Sequence, residues 1–105
     1  MEKYVLKLDT PLEYGNKKIE SLEFDFSKLT GNDLIEAEKE MSADVAYPEF
    51  NGEYLAILAA KAAGVSSIVI KDLPADKFLK AKIRARNFIN TSVVEKPPEQ
   101  TLINS

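Results

Sequence analysis

The chain has 105 residues, 45% hydrophobic and 30% charged, with 14 Lys and Arg against 17 Asp and Glu for a formal charge of −3. A chain of this length buries roughly 65% of its unfolded surface, enough for one core and one ordinary soluble domain. Cys, His and Trp are absent, which excludes disulfides, Cys/His zinc sites, His-dependent nucleophiles and imidazole acid-base chemistry at neutral pH.

At the N-terminus, Met1-Glu2-Lys3-Tyr4 has no apolar run behind its charges and does not read as a secretory signal, so the expectation is a cytoplasmic protein. Tyr4, Leu6 and Leu8 alternate with period two, as do Leu22, Phe24 and Phe26 with Glu23 and Asp25 between them. Two strands follow, separated by Thr10-Pro11 and by Tyr14-Gly15-Asn16-Lys17, where Gly-Asn tolerates the positive φ of a tight turn. The expected β-hairpin covers residues 3 to 27. Two strands alone are marginal in water, so its apolar face must lie on something else.

Thr30-Gly31-Asn32-Asp33 is a helix start, with a Thr hydroxyl able to cap the amide three residues on and an Asp able to reach back. The helix runs to Met41, with Leu34, Ala37 and Met41 on one face and Asp33, Glu36 and Glu40 on the opposite one. Three carboxylates at this spacing can bind a hard cation or work as an acid-base pair. Without an Asp-x-Asp-x-Asp-Gly loop, a solvated acidic face is the simpler reading, and no metal, cofactor or catalytic residue is assigned.

After a loop containing Tyr47-Pro48-Glu49-Phe50, a second helix starts at an Asn51 cap and ends at Gly64, which suits the left-handed position past a helix terminus. Only Glu53 and Lys61 interrupt its apolar run, so it belongs at the centre of the core or of an oligomer contact. The longest uncharged stretch, Ala62 to Ile70, is nine residues, far short of the roughly 20 that span a bilayer. Val65 to Leu73 fits a strand through Ile68-Val69-Ile70 and a helix through Val65, Val69 and Leu73; a short turn of helix is the reading adopted.

Pro74 opens the last helix, which continues through Asn90. Phe78, Ala81, Ala85, Phe88 and Ile89 cover one arc, and Leu79 and Ile83 a separate one. Between them lie Lys77, Lys80 and Arg84 on one side and Lys82 and Arg86 on the other. One apolar arc serves the core, leaving Leu79 and Ile83, bordered by Lys80 and Arg84, as the candidate partner-binding surface, with the chain's own hairpin the competing occupant. From Thr91 to Ser105, with Pro97-Pro98, no periodicity survives, so a flexible tail is expected beyond a single domain of residues 1–90. The fold class is α+β: an N-terminal β-hairpin followed by a small bundle of three helices, or four if residues 65–73 form one.

Charge is uneven along this order. Residues 1–50 carry 6 basic and 12 acidic side chains, net −6, and residues 51–105 carry 8 and 5, net +3. Such polarity suits attraction between copies of a self-associating subunit, or two solvated faces. A nucleic-acid-binding regulator using Lys77, Lys80 and Arg84 is the alternative. The acidic total and the lack of aromatic residues interleaved with the basic ones count against it.

Two local motifs, over residues 3 to 90, resemble the small tail assembly chaperones of long-tailed bacteriophages. One is Leu8-Asp9-Thr10-Pro11-Leu12, Gly15, a strand from Ile19 to Phe26, and Leu29-Thr30-Gly31-Asn32-Asp33-Leu34-Ile35-Glu36-Ala37-Glu38. The other is an apolar helix, a Gly, then Asp72-Leu73-Pro74-Ala75-Asp76-Lys77-Phe78, ending with Asn87-Phe88-Ile89. Family members tend to have an acid immediately before that Phe; here Lys77 stands there, so the position is given no role. The resemblance implies a noncatalytic protein of the host-cell cytoplasm, phage or prophage encoded. Its implied partners are the long, helical, aggregation-prone tape measure protein and a frameshifted longer form of the chain itself. Apart from the resemblance, homo-oligomers are expected and a membrane is not, and nucleic acid stays the disfavoured alternative.

Overall fold

The computed structural model describes residues 3–41 and 51–93. The expected Tyr47-Pro48-Glu49-Phe50 loop, and the expected tail from residue 94 onward, lie outside the described residues. The architecture is α+β as expected: a two-stranded antiparallel hairpin, then helices. Strand β1 spans Tyr4–Tyr14 and β2 spans Lys17–Phe24. They meet at Gly15, whose φ of 62° is the left-handed conformation that a residue without Cβ adopts at no steric cost.

β1 runs through Thr10-Pro11 instead of ending before it. Lys7 faces Ser21 while Leu12 faces Ile19, so residues 8–11 of β1 are accommodated against Glu20 alone. Pro11 has no N–H to give a ladder, and an irregularity absorbs it where a regular strand would lose a bond. Nearer the termini the alternation holds, with Leu6, Leu22 and Phe24 buried and Val5 and Glu23 exposed. A single turn of 3-10 helix, Phe26–Lys28, follows and buries Phe26.

Helix α1, Gly31–Glu40, begins with the expected capping box: Thr30 Oγ1 accepts from the Asp33 N–H at 3.4 Å, and the Asp33 carboxylate accepts from the Thr30 N–H at 2.8 Å. Helix α2, Gly52–Ala63, begins where Asn51 Oδ1 accepts from the Glu53 and Tyr54 amides at 2.9 and 3.1 Å. It ends at Gly64, φ 72°. Between these caps Tyr54 to Ala60 and Ala62 are all buried. α2 touches every other helix, β2 and the 3-10 turn, so a helix apolar nearly all round is satisfied by being the centre of the molecule.

The charges that interrupt α2 find partners on its neighbours. Lys61 pairs with Glu36 of α1 at 3.3 Å. Glu53 pairs with Lys71 at 3.0 Å on α3, the five-residue helix Ser67–Lys71. That short helix settles the ambiguous stretch: Val69 and Ile70 are buried and Ile68 points out. Helix α4, Ala75–Val93, starts after Pro74, whose carbonyl accepts from the Phe78 N–H at 2.8 Å. It continues three residues past Asn90, so Thr91, Ser92 and Val93 are helical where a tail was expected.

A backbone hydrogen bond and a series of stacked rings help tie the hairpin to the helices. The Asp25 N–H donates to the Ala62 carbonyl at 3.0 Å, joining the end of the hairpin to the last turn of α2. Tyr4, Phe24, Phe26 and Phe88 stack in sequence, with ring centroids 6.0, 6.1 and 5.5 Å apart, from β1 to α4. Offset ring contacts of this kind add to plain burial. The α4 side of the core is built on Ala81 and Ala85, both wholly buried, which let its backbone approach the alanine-rich α2 closely.

Candidate partner-binding surface

α4 presents its two apolar arcs to different surroundings. The Ala81 and Ala85 arc, with Phe78, Phe88 and Ile89 at its margins, enters the core. At about 100° per residue Leu79 and Ile83 fall nearly opposite it, and they remain 49% and 52% exposed. The hairpin, the competing occupant, leaves this arc open. Exposed Lys80 borders it on one side, and Lys82 and Arg86 border it on the other.

The basic residues of α4 do not form the continuous stripe that their spacing suggests. Lys77 is only 8% exposed, its stem packed into the molecule and its ammonium 3.7 Å from Asp9 of β1 and 3.9 Å from Asp76. Long Lys stems bury readily while the charged head reaches water or a carboxylate. Arg84 lies over the Tyr4 ring with Cζ 3.9 Å from its centroid. The grouping of Lys77, Lys80 and Arg84 as one open basic surface is therefore corrected: Lys80 is open, Arg84 is committed to the hairpin, and Lys77 is packed. A phosphate-tracking surface needs several free cations at once, and this side of α4 does not supply them.

The three carboxylates of α1 are occupied in the same way. Asp33 belongs to the capping box, Glu36 pairs with Lys61, and Glu40 accepts from the Ser67 hydroxyl at 2.7 Å. Among the described residues no group of three His, Cys, Asp or Glu is placed to hold a metal ion. These carboxylates are accounted for by helix capping and by joining α1 to α2 and α3. Among the described residues, no helix is long and apolar enough to cross a membrane.

One feature was not foreseen from the residue pattern. Gly52, Ala56, Leu73, Ala75 and Phe78 line a shallow, mainly apolar groove of about 620 Å³ where α2, α3 and α4 meet, with the Glu53–Lys71 pair on its rim. Its residues come from three elements, and no periodicity within a single helix signals it.

The family model of phage tail assembly chaperone proteins, E, or 41 or 14, matches residues 5–90. No curated protein and no solved structure matches the chain.

Proposed function

Because the chain belongs to the phage tail assembly chaperone proteins, we propose that it acts by noncatalytic binding, holding a tape measure protein in the host-cell cytoplasm during tail morphogenesis. The contact surface in this reading is the outward face of α4, with Leu79 and Ile83 at its centre and Lys80 and Arg84 on its border. A frameshifted longer form of the chain and further copies of the chain itself complete the set of partners.

The observation that supports this reading is the half-exposure of Leu79 and Ile83 on a helix whose opposite side packs into and against the core. An amphipathic helix of a partner is recognised through apolar anchors spaced along one face, and a helix carrying a spare apolar arc offers the complementary surface. Neither the packed Lys77 nor the engaged Arg84 favours the nucleic-acid alternative.

The test is a Leu79→Asp/Ile83→Asp double variant. Both positions are half exposed, so the variant keeps the parent's helical circular dichroism and melting behaviour while losing co-purification with a tape measure fragment. If the folded double variant still co-purifies with that fragment, the surface assignment is wrong.

A further inference from the structure

From Lys77 to Val93, α4 carries five basic residues and no acidic one. Lys77 and Arg84 are held against β1, by Asp9 and Tyr4. Lys80, Lys82 and Arg86 flank or share the outward face with Leu79 and Ile83. The acids nearest in sequence, Asp72 and Asp76, precede this stretch, and Asp76 lies 3.9 Å from Lys77. Beside α4, Glu53 of α2 and Lys71 of α3 are paired with each other. Among the described residues neither Lys80 nor Lys82 forms an ion pair.

Because the helix continues to Val93, 71% exposed, its outward face gains a third exposed apolar residue. Leu79, Ile83, Arg86, Asn90 and Val93 follow one another at intervals of four, three, four and three residues. At about 100° per residue they stay within about 40° of one line, about 21 Å long. A line with a mean period of 3.5 residues is the seam by which one helix lies along another, and the residues flanking it select the partner by charge. Lys80 and Lys82 are those flanks. Asn90 within the seam fixes register at a cost in stability.

The described residues of the chain offer no matching helix. Two copies of α4 set face to face bring basic flanks onto basic flanks in either direction, and like charges in contact oppose association. α1, the acidic helix, has Ile35 as its one exposed large apolar residue, with Lys39 one turn on. A nucleic acid would use the cations and leave Leu79, Ile83 and Val93 without a partner.

We propose that the outward face of α4 binds, side by side along its length, a helix of another protein whose own apolar line of 3.5-residue period is flanked by Glu or Asp. The proposal rests on the reading of Leu79 and Ile83 as the binding surface, and it names the chemistry of the segment bound there.

The experiment measures, by fluorescence anisotropy, binding of labelled synthetic peptides to the full chain. One peptide repeats heptads with Leu at a and d and Glu at e and g, a second has Lys in place of Glu, and a third scrambles the order of the first; like charges at e and g keep the first two from pairing with themselves. The Glu peptide binds at least about tenfold more tightly than the others and weakens as salt rises. Leu79→Asp/Ile83→Asp abolishes this binding. Lys80→Glu/Lys82→Glu, checked for parent-like circular dichroism, turns the preference to the Lys peptide, and Lys80→Glu alone, at an exposed position, reduces the preference for Glu. Equal binding of the Glu peptide and either control overturns the proposal. So does single-stranded DNA that binds the parent more tightly than the Glu peptide does, or a parent that dimerises where Leu79→Asp/Ile83→Asp does not, since the face would then serve nucleic acid or a second copy. A tape measure fragment lost by Leu79→Asp/Ile83→Asp but fully kept by Lys80→Glu/Lys82→Glu removes the acidic flank and leaves the surface assignment standing. A fragment that ignores both variants while the Glu peptide responds to both removes the tape measure from this face and supports the acidic helix.

Discussion

The Arg84 guanidinium lies over the Tyr4 ring, Cζ to centroid 3.9 Å, so a cation of α4 holds the first residue of β1. Tyr4 in turn stacks on Phe24, and the contact extends the aromatic series that joins hairpin to helices. A cation over an aromatic face at a partly exposed site contributes about 0.5–1 kcal/mol. Arg84→Ala is therefore expected to lower unfolding free energy by about that amount in urea titrations, with Tyr4→Leu behaving similarly. The double variant should cost less than the two singles together. Strict additivity would show that the two groups do not interact.

Phe26 sits mid-series, 5% exposed and stacked on both Phe24 and Phe88. Truncating a buried aromatic removes its transfer energy and leaves a cavity, typically about 3–5 kcal/mol. Phe26→Ala should approach that cost and Phe26→Leu a smaller part of it, measured by chemical denaturation. A cost below about 1 kcal/mol would mean that the 3-10 turn does not anchor the hairpin.

Two glycines predict opposite outcomes. Gly64 has φ 72°, and the nearest atom to an added Cβ is Lys28 Nζ at 3.7 Å, so space is not the constraint and backbone conformation is. Gly64→Ala should destabilise by about 1 kcal/mol or more. Gly31, in the first turn of α1, has nothing within 4 Å of an added Cβ and no positive φ. Gly31→Ala should raise stability by about 0.4–1 kcal/mol. Thermal melts of both variants check the pair, and a Gly64→Ala chain as stable as the parent would remove the argument from the left-handed cap.

Acid sensitivity follows from Asp25. The Ser27 hydroxyl donates to its carboxylate, the main cause that holds this carboxyl below its ordinary value against the opposing effect of desolvation, with the Ser27 amide, Lys3 and Lys28 assisting. The folded value lies below the unfolded one, so the stabilisation is complete above the ordinary carboxylate value of about 3.9 and is lost as pH falls through the folded value. The stability gap between the parent and Ser27→Ala should be constant from neutral pH to about 5 and should shrink below about 4. An equal gap across that range would exclude Asp25 as its source.

How much was legible in the residues follows from how far each signal reaches. The Thr30 and Asp33 capping box, the Asn51 cap, the Gly64 terminus and the Gly15 turn are legible in the residues and present in the structure, because each depends on backbone groups within three or four residues. The irregularity at residues 8–11 is not legible there, because a strand's register is set by its partner. On α4 the residue pattern separates two apolar arcs and leaves Leu79 and Ile83 as the spare one, but it does not show whether the hairpin covers them. That was settled when the alanines of α2 and α4 allowed close approach, leaving Leu79 and Ile83 outside. The candidate surface was thus legible as residues and illegible as a surface.

The same division applies to the charges. Composition alone removed imidazole and thiol chemistry, and the order of elements together with the two motifs pointed to the family that the match over residues 5–90 shows. Net charges of −6 and +3 for the two halves were also there to be counted. What those charges do was decided in three dimensions: Asp33, Glu36 and Glu40 cap and join helices, Lys77 packs beside Asp9, and Arg84 covers Tyr4. A helical pattern states the angle at which a side chain leaves its axis, whereas the group it meets belongs to another element whose position only the packed core determines.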